Sequence, residues 1–295
     1  MNNQYQHKYP FFSIIIPTYR RNDSLLNCLK AISHLNYPVD KFEVIIVDDG
    51  SEDKNLNILI SKFINIINIT LISQSHKGPS ASRNNGRRHS QGEFLVFTDD
   101  DCTPDPEWLT IFAQHFNKNP DYALTGRTIN ALSYNIYSAT SAAIIDFLYN
   151  FYNSQPDAAK FAVTSNLSLS ARQFDIIGGF DEEFTFAGGE DRDFSDRWIL
   201  QGYKIIYVQD AVVSHFHRLW RLSFCKLHYN YGRAAYLFAK KKGQRRDKKI
   251  TLESFKFYFR LLVYAKHQSK EIFILAILSQ VFTMFGYVKE MMSLK

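Results

Sequence analysis

The sequence predicts an α/β fold with a mostly parallel central sheet and helices on both faces. Strand-like and helix-like segments alternate with short connections through the first part of the 295 residues. The strand-like segments are unbroken apolar runs, as expected of strands covered on both faces. Polar and acidic residues gather where those runs end, which is where open α/β sheets place their ligands.

Phe11 to Pro17 is an apolar, β-branched run closed by proline and predicts the first central strand. Asn22 or Asp23 can cap a following helix, in which Leu25, Leu26, Leu29 and Ile32 keep helical spacing as far as Pro38. Phe42 to Val47 predicts a second strand, ending in the turn sequence Asp48-Asp-Gly-Ser51. A helix over Glu52 to Ile64 and a strand over Asn68 to Ile72 follow. Gly78-Pro-Ser80 then opens a helix through Arg88, bringing free backbone N–H groups close to Arg83. Glu93 to Thr98 is the fourth strand, and it runs into Asp99, Asp100 and Asp101.

Three carboxylates at a strand end repel one another unless a cation or a hydrogen-bond network neutralises them. A divalent metal bound through oxygen is one reading. The other is a solvated acidic turn ahead of a helix from Glu107 to Phe116 capped by Asp105. The first strand ends in Pro17-Thr-Tyr-Arg-Arg21 and lacks the glycine-rich dinucleotide fingerprint, which argues against a nicotinamide or flavin enzyme. Further on, the aromatic-rich stretch from Asn135 to Asn153 predicts a helix serving the core or an acceptor pocket.

Hydrophobic residues make up 45% of the chain, enough for a substantial core. The polar start, Met1 to Lys8, carries no apolar signal region, so the asparagine acceptor patterns at Asn22, Asn68 and Asn166 read as accidental. Cys28, Cys102 and Cys225 are scattered and form neither a metal-type pair nor an even disulfide set, which fits a reducing cytosol. The net charge of +6 is uneven. Residues 218–270 hold 15 Lys or Arg against Asp247 and Glu253, a surplus of 13, so the remainder carries −7. Such a segment reads as a site for an anionic partner, whether a membrane surface, a lipid phosphate or nucleic acid, or as a solvated helical face.

The motifs occur in an order that resembles family 2 glycosyltransferases. Phe12-Ser-Ile-Ile-Ile-Pro-Thr-Tyr-Arg20, Val44-Ile-Ile-Val-Asp-Asp-Gly-Ser51, Gly78 through Arg83-Asn-Asn-Gly86 and Phe97-Thr-Asp-Asp-Asp-Cys102 carry the resemblance. Gly178-Gly-Phe-Asp-Glu-Glu-Phe184 and Gly188-Gly-Glu-Asp-Arg-Asp193 continue it, over about Phe11 to His217. The resemblance implies a GT-A fold, a nucleotide-sugar donor and an inverting mechanism. It further implies a catalytic domain over 1–217, with a nucleotide-binding half at about 11–102 and an acceptor half at about 103–217. Residues 218–295 then form a basic and apolar helical extension.

Glycosyl transfer needs charge neutralisation at the departing diphosphate, a base for the acceptor hydroxyl, and positioning of both. By resemblance, Asp101 is the direct ligand of Mg²⁺ or Mn²⁺, Asp99 addresses the metal and the ribose, and Asp100 lies beside them. His215, ahead of His217, is a further metal ligand. Asp191 is the expected base, with Glu190 its alternative, on a helix whose Phe194, Trp198 and Ile199 pack inward. Pro17, Thr18, Tyr19, Asp48, Asp49, Gly78 and Arg83 face the nucleotide, and Asn166 is a possible substrate contact or a turn residue bonded to its own backbone.

The implied acceptor is a polysaccharide, lipopolysaccharide or glycolipid precursor, with no nucleic acid beyond the nucleotide. The extension predicts helices over Trp220 to Lys241 and Thr251 to Ala265 and a short apolar helix over Ile272 to Val288, buried or interfacial. A cytoplasmic protein held peripherally on the inner face of the plasma membrane is expected. Two rivals remain open at this stage. One is a haloacid-dehalogenase-like phosphohydrolase using Asp99-x-Asp101-x-Thr103, although that signature normally ends the first strand; the other is a non-catalytic carbohydrate-binding module.

Overall fold

The computed structural model describes residues 9–247, 250 and 253–293. The first eight residues, Lys248, Lys249, Thr251 and Leu252 lie outside that range, and with them part of the basic segment and the start of the second expected C-terminal helix.

The chain begins β1 (Phe12–Thr18), α1 (Asn22–Ile32), β2 (Phe42–Asp48), α2 (Lys54–Ser61), β3 (Ile69–Ser73), α3 (Pro79–Arg88) and β4 (Phe94–Phe97). β5 (Cys102–Pro104), α4 (Trp108–Phe116), β6 (Ala123–Asn130), α5 (Ile136–Tyr152), β7 (Leu167–Ser170) and α6 (Ala171–Ile177) follow. It closes with α7 (Glu190–Leu200), β8 (Ile205–His215), α8 (Arg221–Arg245), α9 (Phe255–Gln268) and α10 (Lys270–Ser293).

All eight strands form one sheet in the order β3-β2-β1-β4-β7-β6-β8-β5. The first four in that order are mutually parallel, as the apolar runs predict, whereas β7 is antiparallel to both β4 and β6. β6 and β8 are parallel, and β5 pairs antiparallel with β8 at the far edge.

Alternation along the strands sorts the core into two layers. Phe12, Ile14, Ile16, Val44, Ile46 and Val96 face Leu25, Leu29, Trp108 and Phe112 of the helices on one side. Ile15, Ile45, Val47, Leu95 and Phe97 face Phe174, Phe180, Phe194 and Trp198 on the other. Helix α3 lies so close to the sheet that a Cβ on Gly86 would meet the Ile15 side chain at 2.4 Å. That contact fixes the height of Arg83, three residues earlier.

Local expectations were corrected where tertiary contacts decide. The α4 helix starts at Trp108, and Asp105 contributes only its backbone carbonyl, to the Trp108 N–H. Residues 164–166 turn as a 3-10 helix directly ahead of β7. Ile199 is 37% exposed, so only Phe194 and Trp198 of the α7 trio point inward. Asn166 is fully buried in structural work: it accepts from Trp108 Nε1 and donates to the carbonyls of Arg127 and Ala211.

In the C-terminal part, α5 and α9 share a cluster of Phe147, Phe151, Phe257 and Tyr264. α8 and α10 cross at two glycines. A Cβ on Gly232 would lie 1.8 Å from the Thr283 carbonyl oxygen, and one on Gly286 would lie 1.8 Å from that of Tyr229. α10 is 24 residues long rather than 17, and only 17% of its most apolar window is buried, so the expectation of a buried helix does not hold. Ser279 is fully buried and Gly286 lies against the Tyr229 carbonyl of α8, while Ile274, Ile277, Val281 and Phe285 stay exposed.

Candidate active site

Because β1, β2 and β4 are parallel, their polar ends reach the same side of the sheet. The three consecutive aspartates do not act alike. Asp100 points back into the protein, where it is 3% exposed. It accepts from Thr18 Oγ1 at 2.7 Å and pairs with Arg21 at 3.2 Å. Burial pushes its carboxyl up to about 6, against the opposing pull of Arg21. Asp100 thus ties β1 to β4, with Thr18 and Arg21 as its partners inside the fold.

Asp101 is positioned by the β5–β8 ladder. Its carbonyl accepts from the Phe216 N–H at 2.8 Å, and its successor Cys102 pairs with His215. Asp101 Oδ1 thereby lies 3.1 Å from His215 Nε2, and Oδ2 lies 3.1 Å from the half-exposed Arg21 guanidinium. Burial alone would raise the Asp101 carboxyl, but His215 and Arg21 overcome it and hold the group far below the usual carboxylate range. His215 shifts reciprocally: burial favours its neutral form, yet the Asp101 carboxylate raises its affinity for a proton. His217, stacked on it at 5.3 Å, is pushed down to about 4 by burial and by His215.

Ligand atoms of Asp99, Asp101, Cys102 and His215 lie within 4.8 Å of one another. Burial and the adjacent carboxylates push the Cys102 thiol well up, and its soft sulfur matches a hard, oxygen-seeking cation poorly. Two carboxylates and one imidazole remain, a donor set that suits a hard or borderline divalent cation with coordination positions to spare.

Arg83 joins this cluster to the start of α7. It is 3% exposed, reaches Asp99 Oδ1 at 2.7 Å with one nitrogen, and reaches Glu190 Oε1 at 3.1 Å with another. Glu190 Oε2 accepts the Gly188 N–H at 2.7 Å, so both its oxygens are occupied. Asp191, next in the chain, has no ion pair among the described residues and accepts only the Arg192 N–H, at 2.7 Å. Burial, then repulsion from Glu190, pushes its carboxyl up to about 7. Two adjacent acids are thereby separated into a fixed counter-ion and a group able to exchange protons near neutral pH.

On the other flank, Asp49 is fully engaged with the loop after β3. It accepts from the N–H groups of Lys77 and Gly78 at 2.9 and 2.8 Å and from Gln74 Nε2 at 2.8 Å, and it meets His76 at 2.8 Å. Asp48 accepts the Ser51 N–H at 3.0 Å. Tyr19 stacks on His76 with ring centres 4.4 Å apart, forming an aromatic shelf beside Pro17 and Thr18. A cleft of about 360 Å³ runs past Asp101 and is lined by Arg21, His217, Arg218, Lys226 and Asn230.

Sequence reasoning missed Arg21, Gln74 and His76. Arg21 stands inside a motif already singled out, whereas Gln74 and His76 carry no signal before the loop is folded against Asp49.

Part of the basic surplus is spent within the molecule. Arg245 pairs with Asp193 and Asp196, Arg246 with Asp196, and Lys241 with Asp181 and Glu183. The extension thus neutralises acids of the preceding segment, which accounts for part of the uneven charge without an outside partner.

A family model described as glycosyl transferase family 2 matches residues 13–174, and one described as the N-terminal domain of galactosyltransferase matches residues 150–219. Glycosyltransferase AglE of Haloferax volcanii is 28% identical over 215 residues, covering 70% of this chain and 67% of its own. Chondroitin synthase of Escherichia coli is 27% identical over 236 residues, of which the chain spans 34% of the relative's length. Among solved structures, the mannosyltransferase PcManGT of Pyrobaculum calidifontis, in complex with GDP-Man and Mn²⁺, superposes with a TM-score of 0.69 at 17% identity, covering 97% of this chain and 88% of that one. TarS residues 1–349 of S. aureus in complex with UDP-GlcNAc superposes at 0.54, covering 96% and 91%. Both structural likenesses establish a GT-A architecture.

Proposed function

Because the chain belongs to glycosyl transferase family 2, we propose that it transfers a sugar, with inversion, from a nucleoside-diphosphate sugar to a hydroxyl of a carbohydrate or lipid-linked acceptor. The observation that carries this reading is the Arg83 bridge, which holds Asp99 of the cation-binding cluster and Glu190, neighbour of the base Asp191, on one guanidinium. Asp191 accepts the proton of the attacking acceptor hydroxyl, a role that suits a carboxyl poised near pH 7. Glu190, locked in its ion pair, sets the charge felt by Asp191 and is not itself the base.

Asp101, Asp99 and His215 would hold Mg²⁺ or Mn²⁺, which would supply neutralisation of the charge left on the departing diphosphate. The basic cleft beside Asp101 accommodates those phosphates. Pro17, Thr18 and Tyr19, with Asp48, Asp49 and Gly78 behind them, shape the nucleoside side; the last two act through the loop they order. The catalytic unit is residues 1–217, with 218–295 as its helical extension.

The phosphohydrolase rival fails on family membership and on topology, since the Asp99 strand is fourth in the chain and lies between β1 and β7. Family membership also argues against a non-catalytic module.

For location we propose a cytoplasmic protein resting on the inner face of the plasma membrane. α10 exposes Ile274, Ile277, Val281, Met284 and Phe285, and α9 exposes Phe255 and Phe259. Lys256, Arg260 and Lys266 on α9 and Lys270 on α10 supply positive charge close by.

The test is a panel of nucleotide sugars, including UDP-GlcNAc and GDP-mannose, incubated with the full chain and Mn²⁺ while nucleotide release is followed. Release that requires both Mn²⁺ and Asp191 is expected. Release that persists in Asp191→Asn, or phosphate release from a simple phosphomonoester instead, overturns the reading.

A further inference from the structure

Helix α8 starts beyond the last residue matched by either family model, yet it forms a wall of the site. The Tyr231 ring lies against Gly188, where a Cβ would come within 2.4 Å of the ring. One turn on, Ala234 packs on Gly189 in the same way, at 2.8 Å, so α8 seats directly on the backbone that leads into Glu190 and Asp191. One turn back, His228 meets the Tyr231 ring edge-on at 5.5 Å. The phenol is therefore held between Gly188, at φ 110°, and His228.

The hydroxyl that these contacts aim makes no hydrogen bond to a described residue. Burial, then the fields of Asp191, Glu190, Asp99 and Asp101, push its ionisation up. It stays a neutral O–H donor. An unbonded donor on a ring seated against Gly188, two residues before Glu190 and three before Asp191, borders the space in front of those acids. In the proposed reaction that space holds the transferred sugar, between the leaving diphosphate and the base.

We propose that Tyr231 is a substrate contact, its hydroxyl donating a hydrogen bond to a hydroxyl of the transferred sugar. This rests on the function proposed above and adds a contact from outside the matched family region.

The experiment uses the full chain and Tyr231→Phe, which keeps the ring on Gly188 and removes only the donor. Affinities for UDP and GDP, and for UDP-GlcNAc and GDP-mannose, are measured with Mn²⁺, alongside kcat and KM for donor hydrolysis. The expected result is an unchanged nucleoside-diphosphate affinity, an unchanged melting temperature and a loss of about three- to tenfold confined to the sugar nucleotide. Donors lacking single sugar hydroxyls then locate the partner: the one that slows the wild type has no further effect on Tyr231→Phe. Equal behaviour of the two proteins towards every sugar nucleotide overturns the proposal, as does a loss shared equally by UDP or GDP. If the wild type itself neither binds nor hydrolyses any sugar nucleotide, the proposed function falls instead.

Discussion

Arg83 and Glu190 form an ion pair in which both side chains are 3% exposed, linking helix α3 to the first residue of α7 across the mouth of the crevice. The same guanidinium holds Asp99, so one cation balances two acids drawn from distant parts of the sequence.

Replacing Arg83 by Gln leaves Glu190 buried without its counter-ion. Removing one partner of a buried pair costs about 3–5 kcal/mol, because the surviving charge stays desolvated. Urea unfolding of Arg83→Gln is expected to show a loss of that order. Arg83→Lys is expected to recover only part of it, since a single ammonium cannot fork to both acids.

Asp191 sets the pH dependence. Its carboxyl is raised from 3.8 to about 7 by burial and by Glu190, and only the deprotonated form accepts a proton. Transfer is expected to be weak at pH 5, to rise about tenfold per pH unit, and to level off above about pH 7. Glu190→Gln removes the repelling charge and is expected to move that limb to lower pH, while Asp191→Asn abolishes it along with at least about a hundredfold of the rate. A pH–rate profile of kcat/KM for all three proteins checks this.

Chelation is expected to stop turnover, and Mn²⁺ titration followed by calorimetry locates the ligands. Asp101→Asn and His215→Ala are expected to weaken Mn²⁺ binding by at least about tenfold each. Asp100→Asn is expected instead to lower thermal stability, because Asp100 bonds Thr18 and Arg21 inside the fold.

Binding of the full chain to vesicles tests the exposed face of α9 and α10. Cosedimentation with anionic vesicles is expected at low salt, with weaker binding in 0.5 M NaCl as Lys and Arg are screened. Lys256→Glu with Arg260→Glu is expected to weaken it further, and Phe259→Ser to weaken it at both salt concentrations.

The nucleotide half was readable because its physics is local. Unbroken runs such as Ile14–Ile16 and Val44–Val47 announce strands buried on both faces, and their polar ends announce the ligand edge. β8 was not readable, because it alternates exposed polar and buried apolar residues around Gln209 and Asp210 and runs past a bulge opposite Gly126. The triplet at 99–101 gave its chemistry but not its division of labour. Asp100 and Asp101 lie in a tight turn closed by the Cys102 N–H on the Asp99 carbonyl, and only the folded partners Thr18 and Arg21 reveal that Asp100 faces inward. Part of the net charge was unreadable in a similar way, since Arg245 and Lys241 meet acids some 50 to 60 residues earlier in the chain.

The glycine crossing between α8 and α10 bears on what kind of object the C-terminus is. At Gly232 and Gly286 the two backbones touch with no side chain between them, which leaves neither helix free to swivel on the other. A tail hung from a domain can be stretched or trimmed with little effect on what it hangs from. A brace cannot, and α8 carries Tyr231 into the crevice at the other side of that joint. The last helix is thus mechanically continuous with the wall of the reaction chamber, and whatever surface seats α10 also fixes the direction in which that chamber opens.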